Sequence, residues 1–395
     1  MRLTPEQAAL AAHSVYRIIN NKRVGLLDPF LLDNFDISTG SRFEGSAGAL
    51  FMKYDSGFGI IAQGKENPRT KQTLFPDDVL ILTRGTDIEK ILQDLVLTDG
   101  NVGIQFSPSN HVVHAGFNKV FNSFEKDLSK FFHGKKQPAR VHCVGHSLGG
   151  ALATLAANWV KCNTKSKPIL YTFGSPRVGA SPFAKYITDS LAPENIHRVY
   201  HQTDIVSMVP IWPFTHVPAP SYGSDYFIES PGMPNITYHS MEENSVGYLP
   251  SVRGKSWGDL RRSPPPTGME KGVDAWLASN GPLSLTYNTV SMIGTSIVYL
   301  VKKILKVTGI AIQGTASVGL TVLDVLAWAA EKAVAASKEV GIFVGRLMRR
   351  IMSALGMAVS STQNMTSTFI RWVLQQLQAQ LYRLAGNAIR LVHRR

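Results

Sequence analysis

The chain has 395 residues, of which 44% are hydrophobic and 17% charged, with 41 Lys+Arg against 28 Asp+Glu for a formal net charge of +13. It is too apolar and too sparsely charged to be disordered, and its two cysteines, Cys143 and Cys162, exclude a small disulfide-stapled scaffold. The charge is uneven: from Leu285 onward there are 13 basic and 3 acidic residues, so +10 of the +13 lies in the last 111 positions. A near-neutral body with a basic, apolar tail implies two jobs, the tail meeting anionic lipid, an acidic protein surface or nucleic acid.

In chain order, the first element is a helix with Thr4 as N-cap and Pro5 at its first position. This segment lacks the apolar core of a secretory signal. The expectation is therefore synthesis in a reducing cytoplasm without a signal peptide, with Cys143 as core packing. Phe43 to Gln63, with its paired glycines, reads as an antiparallel hairpin. Val79–Thr83 and Val141–Val144 read as strands, the latter followed by an Ala- and Leu-rich helix from Leu148 to about Val160. Ile169–Phe173 and Ile196–Tyr200 are further strands. Strand, helix and strand at this spacing predict an α/β layer with a mostly parallel sheet.

The organisation expected is an α/β domain over residues 1–250, a linker over 251–275 and a helical, apolar and basic region over 276–395. Pro264, Pro265 and Pro266 mark the linker, because three prolines continue neither a helix nor a central strand. Ala275 to Val301 carries no charge, and Val307 to Ala330 holds only Asp324. In the last helix, Ile370, Val373, Leu374, Leu377, Leu381, Leu384, Ala388 and Leu391 form one apolar stripe. Arg371, Gln375, Gln378, Arg383 and Arg390 lie off it.

Chemistry enters at Gly145-His146-Ser147-Leu148-Gly149-Gly150, between a predicted strand and a predicted helix. A sharp strand-to-helix turn exposes a serine in a strained backbone, and its glycine neighbours avoid side-chain clashes. The helix N-terminus behind it favours developing negative charge. Ser147 is thus the candidate nucleophile. It needs a base, and the base needs an orienting carboxylate. With the acid expected before the histidine in chain order, the acids to weigh are Asp189, Glu194, Asp204, Asp225 and Glu229. Asp204 directly follows a convincing strand, where reactive groups of open α/β sheets gather. His216 and His239 both remain as bases on spacing alone, while His393 lies in the basic tail.

Several segments in order resemble the class 3 lipases, the family of fungal-type triacylglycerol lipases with bacterial and plant relatives. They are Leu82-Thr83-Arg84-Gly85-Thr86-Asp87, Val113-His114-Ala115-Gly116-Phe117, Gly145 to Ala153, Thr172 to Gly179, Asp204 to Pro210, Phe214-Thr215-His216-Val217, and His239-Ser240-Met241 with Tyr248 shortly after. The resemblance covers roughly residues 40–250 and implies an α/β-hydrolase fold. It implies Ser147 as nucleophile, Asp204 as orienting acid and His239 as base, and makes His216 structural. It implies an oxyanion hole from the backbone N–H groups of Thr86 and Leu148. Ile205 stands where the family often has proline, which touches the loop and not the chemistry. No cofactor and no metal are implied, and no metal-ligand spacing occurs in the sequence. Family lids occupy the region after Asp87, where Ile91, Leu92, Leu95, Val96 and Leu97 make an apolar segment suited to cover the serine or to pack in the core.

The activity implied is hydrolysis of acyl esters of membrane lipids, with a lipid bilayer or phospholipid as partner. For the tail, three expectations compete: amphipathic helices on a bilayer, spanning helices, or a helical region packed on the head or on a partner. Nucleic acid fits poorly, because aromatics are not interleaved with the basic residues. A lipase-like head without a signal, joined to such a tail, resembles the lipase effectors exported by bacterial type VI secretion systems. That resemblance implies export by a non-classical route, membrane association at the target, a secretion spike protein and a neutralising immunity protein. A protein of another class, a membrane-disrupting or pore-forming one whose head only recognises lipid, is the alternative.

Overall fold

The computed structural model describes residues 1–21, 28–37, 42–47, 54–85, 104–134, 136–219, 222, 225–231, 236–260, 269–312, 322–358 and 364–393. Helix α1 (Pro5–Asn21) opens the chain. The Thr4 hydroxyl accepts from Gln7 N–H at 3.2 Å, and the Gln7 side chain accepts from Thr4 N–H at 2.9 Å, a reciprocal cap. Helix α2 (Pro29–Asn34) and strand β1 (Phe35–Asp36) follow. Strands β2 (Arg42–Ala47) and β3 (Tyr54–Gly64) pair antiparallel, as the hairpin reading expected.

The central sheet continues through β4 (Asp78–Thr83), β7 (Arg140–His146), β8 (Lys167–Phe173), β10 (Ile196–His201) and β12 (Tyr226–Ile228). Among the described residues its order is β1-β3-β4-β7-β8-β10-β12, with β2 also on β3. From β4 to β12 every pairing is parallel. β4, β7, β8 and β10 are buried nearly end to end, as parallel strands covered on both faces must be. A smaller antiparallel sheet, ordered β11-β9-β6-β5, joins β5 (Ile104–Phe106), β6 (Val112–His114), β9 (Gly179–Ala180) and β11 (Phe214–Thr215).

Helices α3 (Ala115–Phe132), α4 (Leu148–Asn163) and α5 (Ser181–Leu191) belong to one buried cluster, and α1 with the short α6 (Tyr248–Val252) to another. Both clusters draw on the strands, so the sheet has apolar cover on each face. The helix expected after Ser147 is α4, buried without interruption from Leu148 to Val160.

The boundary differs from the expected linker over 251–275. Trp257 Nε1 donates to the Leu3 carbonyl at 2.8 Å, and its indole stacks on His197 at 4.1 Å between centroids. Leu260 is buried with it. A ring that large, with one N–H to satisfy, anchors the chain to the α1 side of the sheet rather than leaving it as a spacer. The prolines at 264–266 lie outside the described residues. At the far end, helix α7 (Met269–Ala278) already begins inside the expected linker.

The uncharged run from Ala275 is broken before Tyr287, because Pro282 cannot continue α7. Thr286 then caps α8 (Tyr287–Thr308), accepting from Thr289 N–H at 3.2 Å. Gly309, at φ +69°, ends it in the left-handed conformation typical of a helix stop. Helices α9 (Val322–Ala336), α10 (Lys338–Ala354) and α11 (Ser367–His393) complete the chain. Among the described residues no helix is long and apolar enough to cross a membrane.

Most of the α11 stripe is buried within the protein. Ile370, Val373, Leu374, Leu377, Leu381 and Ala388 are all buried, and α11 packs on α9, on α10 and on the head. One continuous apolar cluster runs from Phe121 and Leu152 in the head through Ile205 and Val206 to Leu347, Leu377 and Leu381 in the tail. Part of the tail's positive charge is met internally: Lys303 pairs with Glu339 at 2.7 Å, and Arg371 with Asp324 at 2.8 Å. Arg350 donates to the Gly281 carbonyl at 3.0 Å and lies over the Trp276 ring.

Candidate active site

The nucleophile turn is built from steric necessity. Ser147 has φ +58° and ψ −132°, outside the ordinary regions for a side-chain-bearing residue. A Cβ added at Gly145 would lie 2.1 Å from the Gly149 carbonyl oxygen, and one at Gly149 would lie 2.2 Å from the Thr83 carbonyl oxygen. The turn therefore closes onto the end of β4, where Thr83 is paired with Gly145. The Thr83 hydroxyl reaches the Gly149 carbonyl at 2.6 Å and fixes the contact.

Asp204 follows β10 and caps a short 3-10 helix, Ile205–Met208, with its Oδ1 accepting from Val206 N–H at 2.9 Å. Its other oxygen, Oδ2, accepts from His239 Nδ1–H at 2.8 Å and from the Tyr248 hydroxyl at 2.6 Å. Burial pushes the Asp204 carboxyl up, but the His239 charge and hydrogen bond, the Tyr248 hydroxyl and the Val206 N–H outweigh it and hold the carboxyl below its ordinary range. Gly174, at φ +54°, leaves the room: a Cβ there would meet Asp204 Oδ2 at 2.6 Å and Tyr248 Oη at 2.9 Å.

His239 ends the 3-10 helix Ile236–His239. A carboxylate only accepts, so Nδ1 carries the ring proton and Nε2 is left as an acceptor. Nε2 lies 2.9 Å from Ser147 Oγ, whose hydroxyl donates to it. All three side chains are buried, with Ser147 and His239 each 1% exposed and Asp204 fully covered. Nucleophile, base and orienting acid stand in hydrogen-bond order at 2.9 and 2.8 Å, the arrangement that generates a serine alkoxide equivalent.

Leu148 N–H opens α4 directly behind Ser147, among the first amides of the helix, which have no acceptor within it. It is the N–H that the resemblance implies as one oxyanion donor. Thr86, expected as the other, lies outside the described residues. So does the apolar segment holding Ile91, Leu92, Leu95, Val96 and Leu97.

Of His216 and His239, it is His239 that stands between Ser147 and Asp204. His216 stands by Arg198 and Arg177, and desolvation together with those two cations lowers its basicity well below the ordinary histidine value. Asp225 is occupied by Arg198 at 2.8 Å, and Asp189 by Lys185 and Tyr222. Cys143 is buried, and desolvation raises its thiol far above the ordinary value, which makes it inert packing. Among the described residues no group of His, Cys, Asp and Glu could hold a metal ion.

Tyr248 had no role in the reading of spacing. It belongs to the site because its hydroxyl donates to Asp204 while accepting from His201 N–H at 3.1 Å. The signals available were its place in the resembling segment after His239 and its identity: a tyrosine beside an apolar run needs a polar partner when buried.

Residues 80–214 match the family model described as Lipase (class 3). Over 94 residues the chain is 38% identical to the "Secreted mono- and diacylglycerol lipase A" of Penicillium cyclopium, covering 24% of this chain and 29% of that one. It is 30% identical over 152 residues to "Phospholipase A(1) DAD1, chloroplastic" of Arabidopsis thaliana, 34% of each chain. It is 32% identical over 136 residues to "Toxin TseL" of Vibrio cholerae serotype O1, covering 32% of this chain and 20% of that one. The chain thus spans about a third or less of the length of each of these relatives. The chain is thus similar to the class 3 lipases over residues 80–214, which hold Ser147 and Asp204, and it carries a Ser147–His239–Asp204 array at the strand-to-helix turn within that match.

Proposed function

We propose that the protein is a serine esterase that hydrolyses acyl esters of membrane lipids, as a phospholipase A-type enzyme or lipase. The observation that carries this reading is the Ser147–His239–Asp204 relay on a strained turn at a helix N-terminus. Ser147 Oγ attacks the ester carbonyl carbon while His239 Nε2 takes its proton. Asp204 stays ionised and stabilises the resulting imidazolium. The oxyanion is met by Leu148 N–H, and by Thr86 N–H as the family resemblance implies; each such donor contributes roughly 3 kcal/mol. His239 then returns the proton to the leaving alcohol. Water, activated by the same imidazole, releases the acid and restores Ser147.

The names of the relatives support a lipid ester as substrate, since they include a glyceride lipase and a phospholipase A(1). The toxin among them supports the further reading as an effector; export by a type VI secretion system, a secretion spike protein and an immunity protein as partners, and a target-cell bilayer as its place of action belong to this proposal as what the head-and-tail resemblance implies.

The test is fatty acid release from phospholipid vesicles, followed by mass spectrometry of the lipids, for wild type beside Ser147→Ala. Release that falls at least about 10⁴-fold in the variant supports the reading. Vesicle leakage that persists undiminished in Ser147→Ala, without acid release by either protein, favours the pore-forming alternative.

A further inference from the structure

Helix α1 plays no part in the mechanism above, yet one of its side chains reaches the centre. Tyr16 Oη lies 2.9 Å from His146 Nδ1. The other nitrogen of that ring, His146 Nε2, lies 2.8 Å from the backbone carbonyl oxygen of His239. His146 is 1% exposed, and its ring centroid is 4.5 Å from that of His239. The Tyr16 hydroxyl also receives a backbone hydrogen bond from Gly85, just beyond the end of β4. A Cβ at Gly85 would lie 2.7 Å from Tyr16 Oη and 3.2 Å from Ser147 Cβ.

The protons in this chain of contacts are fixed by chemistry. A carbonyl oxygen only accepts, so His146 Nε2 must carry the hydrogen. In the neutral ring Nδ1 then presents a lone pair, and the Tyr16 hydroxyl donates to it. With the proton on Nδ1 instead, two lone pairs would oppose each other at 2.8 Å, and the His239 carbonyl would lose its donor. The His239 carbonyl therefore selects the tautomer, and the Tyr16 hydroxyl, which can donate or accept, donates to the lone pair left at Nδ1 and holds the ring. Asp204 fixes one nitrogen of the His239 ring; the backbone from which that ring hangs is held by His146.

We propose that Tyr16 is a positioning residue for the catalytic base: by holding the His146 ring at Nδ1, it keeps His146 Nε2–H on the His239 carbonyl, so that His239 Nε2 stays in line with Ser147 Oγ. The inference rests on the reading of Ser147 as nucleophile. It gives the N-terminal helix a catalytic consequence, tying the nucleophile turn, the base and the strand end before Thr86 to one hydroxyl.

The experiment uses the full chain, a soluble short-chain ester and a double-mutant cycle. Tyr16→Phe keeps the ring and removes the hydroxyl. It is expected to lower kcat roughly 10-fold with KM within about twofold, since a misplaced catalytic group costs turnover rather than binding. In a His146→Ala background, Tyr16→Phe is expected to have no further effect, because the two act in series. Nitrogen-15 NMR of the histidines should show the His146 proton on Nε2 in wild type, and in Tyr16→Phe a shift of the Nδ1 resonance, which loses its hydrogen bond from the hydroxyl. Wild-type kcat in Tyr16→Phe, additive losses in the double variant, or a wild-type His146 ring protonated on Nδ1 would each overturn the proposal. Absence of any Ser147-dependent hydrolysis by wild type overturns the hydrolase reading instead, while the NMR result still decides the Tyr16–His146 linkage.

Discussion

At the scale of single residues, histidines in this protein are divided by environment into one that joins Ser147 to Asp204 and several that burial holds neutral. His114, ending β6 between the rings of Phe117 and Phe214, is fully buried, and among the described residues neither of its ring nitrogens has a hydrogen-bond partner. Desolvation lowers it from the ordinary 6.5 to about 3. The folded state thus binds this proton less readily than the unfolded chain. Its contribution to stability is present in full above pH 6.5 and is lost as the pH falls from there toward about 3. His114→Leu should therefore flatten the acid-side fall in stability by up to about 1.4 kcal/mol per pH unit within that window. Urea unfolding at a series of pH values measures it, and a slope unchanged by the substitution would contradict the assignment. Asp204→Asn keeps the shape of the acid but removes the acceptor that sets the His239 tautomer. It should lower kcat by about 10⁴-fold while the fold persists, as read by steady-state kinetics beside circular dichroism.

At the scale of elements, the nucleophile turn shows how much a short pattern can specify. Gly145 and Gly149 are required because backbone carbonyls lie about where a Cβ would go. Gly149→Ala is expected to cost about 3 kcal/mol or more, since the obstructing atom belongs to β4 and cannot step aside. Gly134→Ala, at φ +69° with open space around it, should cost only about 1–2 kcal/mol. Denaturant titration of the two variants separates steric necessity from conformational preference, and equal losses would argue against the packing account. This is also where the sequence was most legible. The strand, turn and helix around Ser147 follow from residue type and order, and the placement of Asp204 after β10 follows from topology. His239 needed more than spacing, because nothing local to a histidine tells whether it will meet a carboxylate 35 residues earlier or, like His216, two arginines. The roles of Tyr248 and Tyr16 were not legible for the same reason, although Tyr248 stood among the segments of the resemblance: each acts through a contact between segments distant in sequence.

At the scale of the whole molecule, the tail proves to be continuous with the head. The α11 stripe was plain in the sequence, but a stripe gives the existence of a partner and not its identity; here the partner is the protein itself. The tail helices rest on the 3-10 helix after Asp204 and on the one that ends at His239, so the two parts should unfold together. Calorimetry is expected to give a single transition, and Leu377→Ala to lower it by about 2–5 kcal/mol for the entire chain. Two separable transitions, with only one moved by Leu377→Ala, would contradict a shared core. The central claim, that the folded head makes one serine hydroxyl reactive, is tested most directly by intact-protein mass spectrometry after reaction with an alkyl fluorophosphonate. The account predicts one adduct per chain, mapped to Ser147, absent from Ser147→Ala and formed at least about 10³-fold more slowly in His239→Ala. Labelling that survives Ser147→Ala, or that proceeds at the wild-type rate without the His239 imidazole, would contradict it.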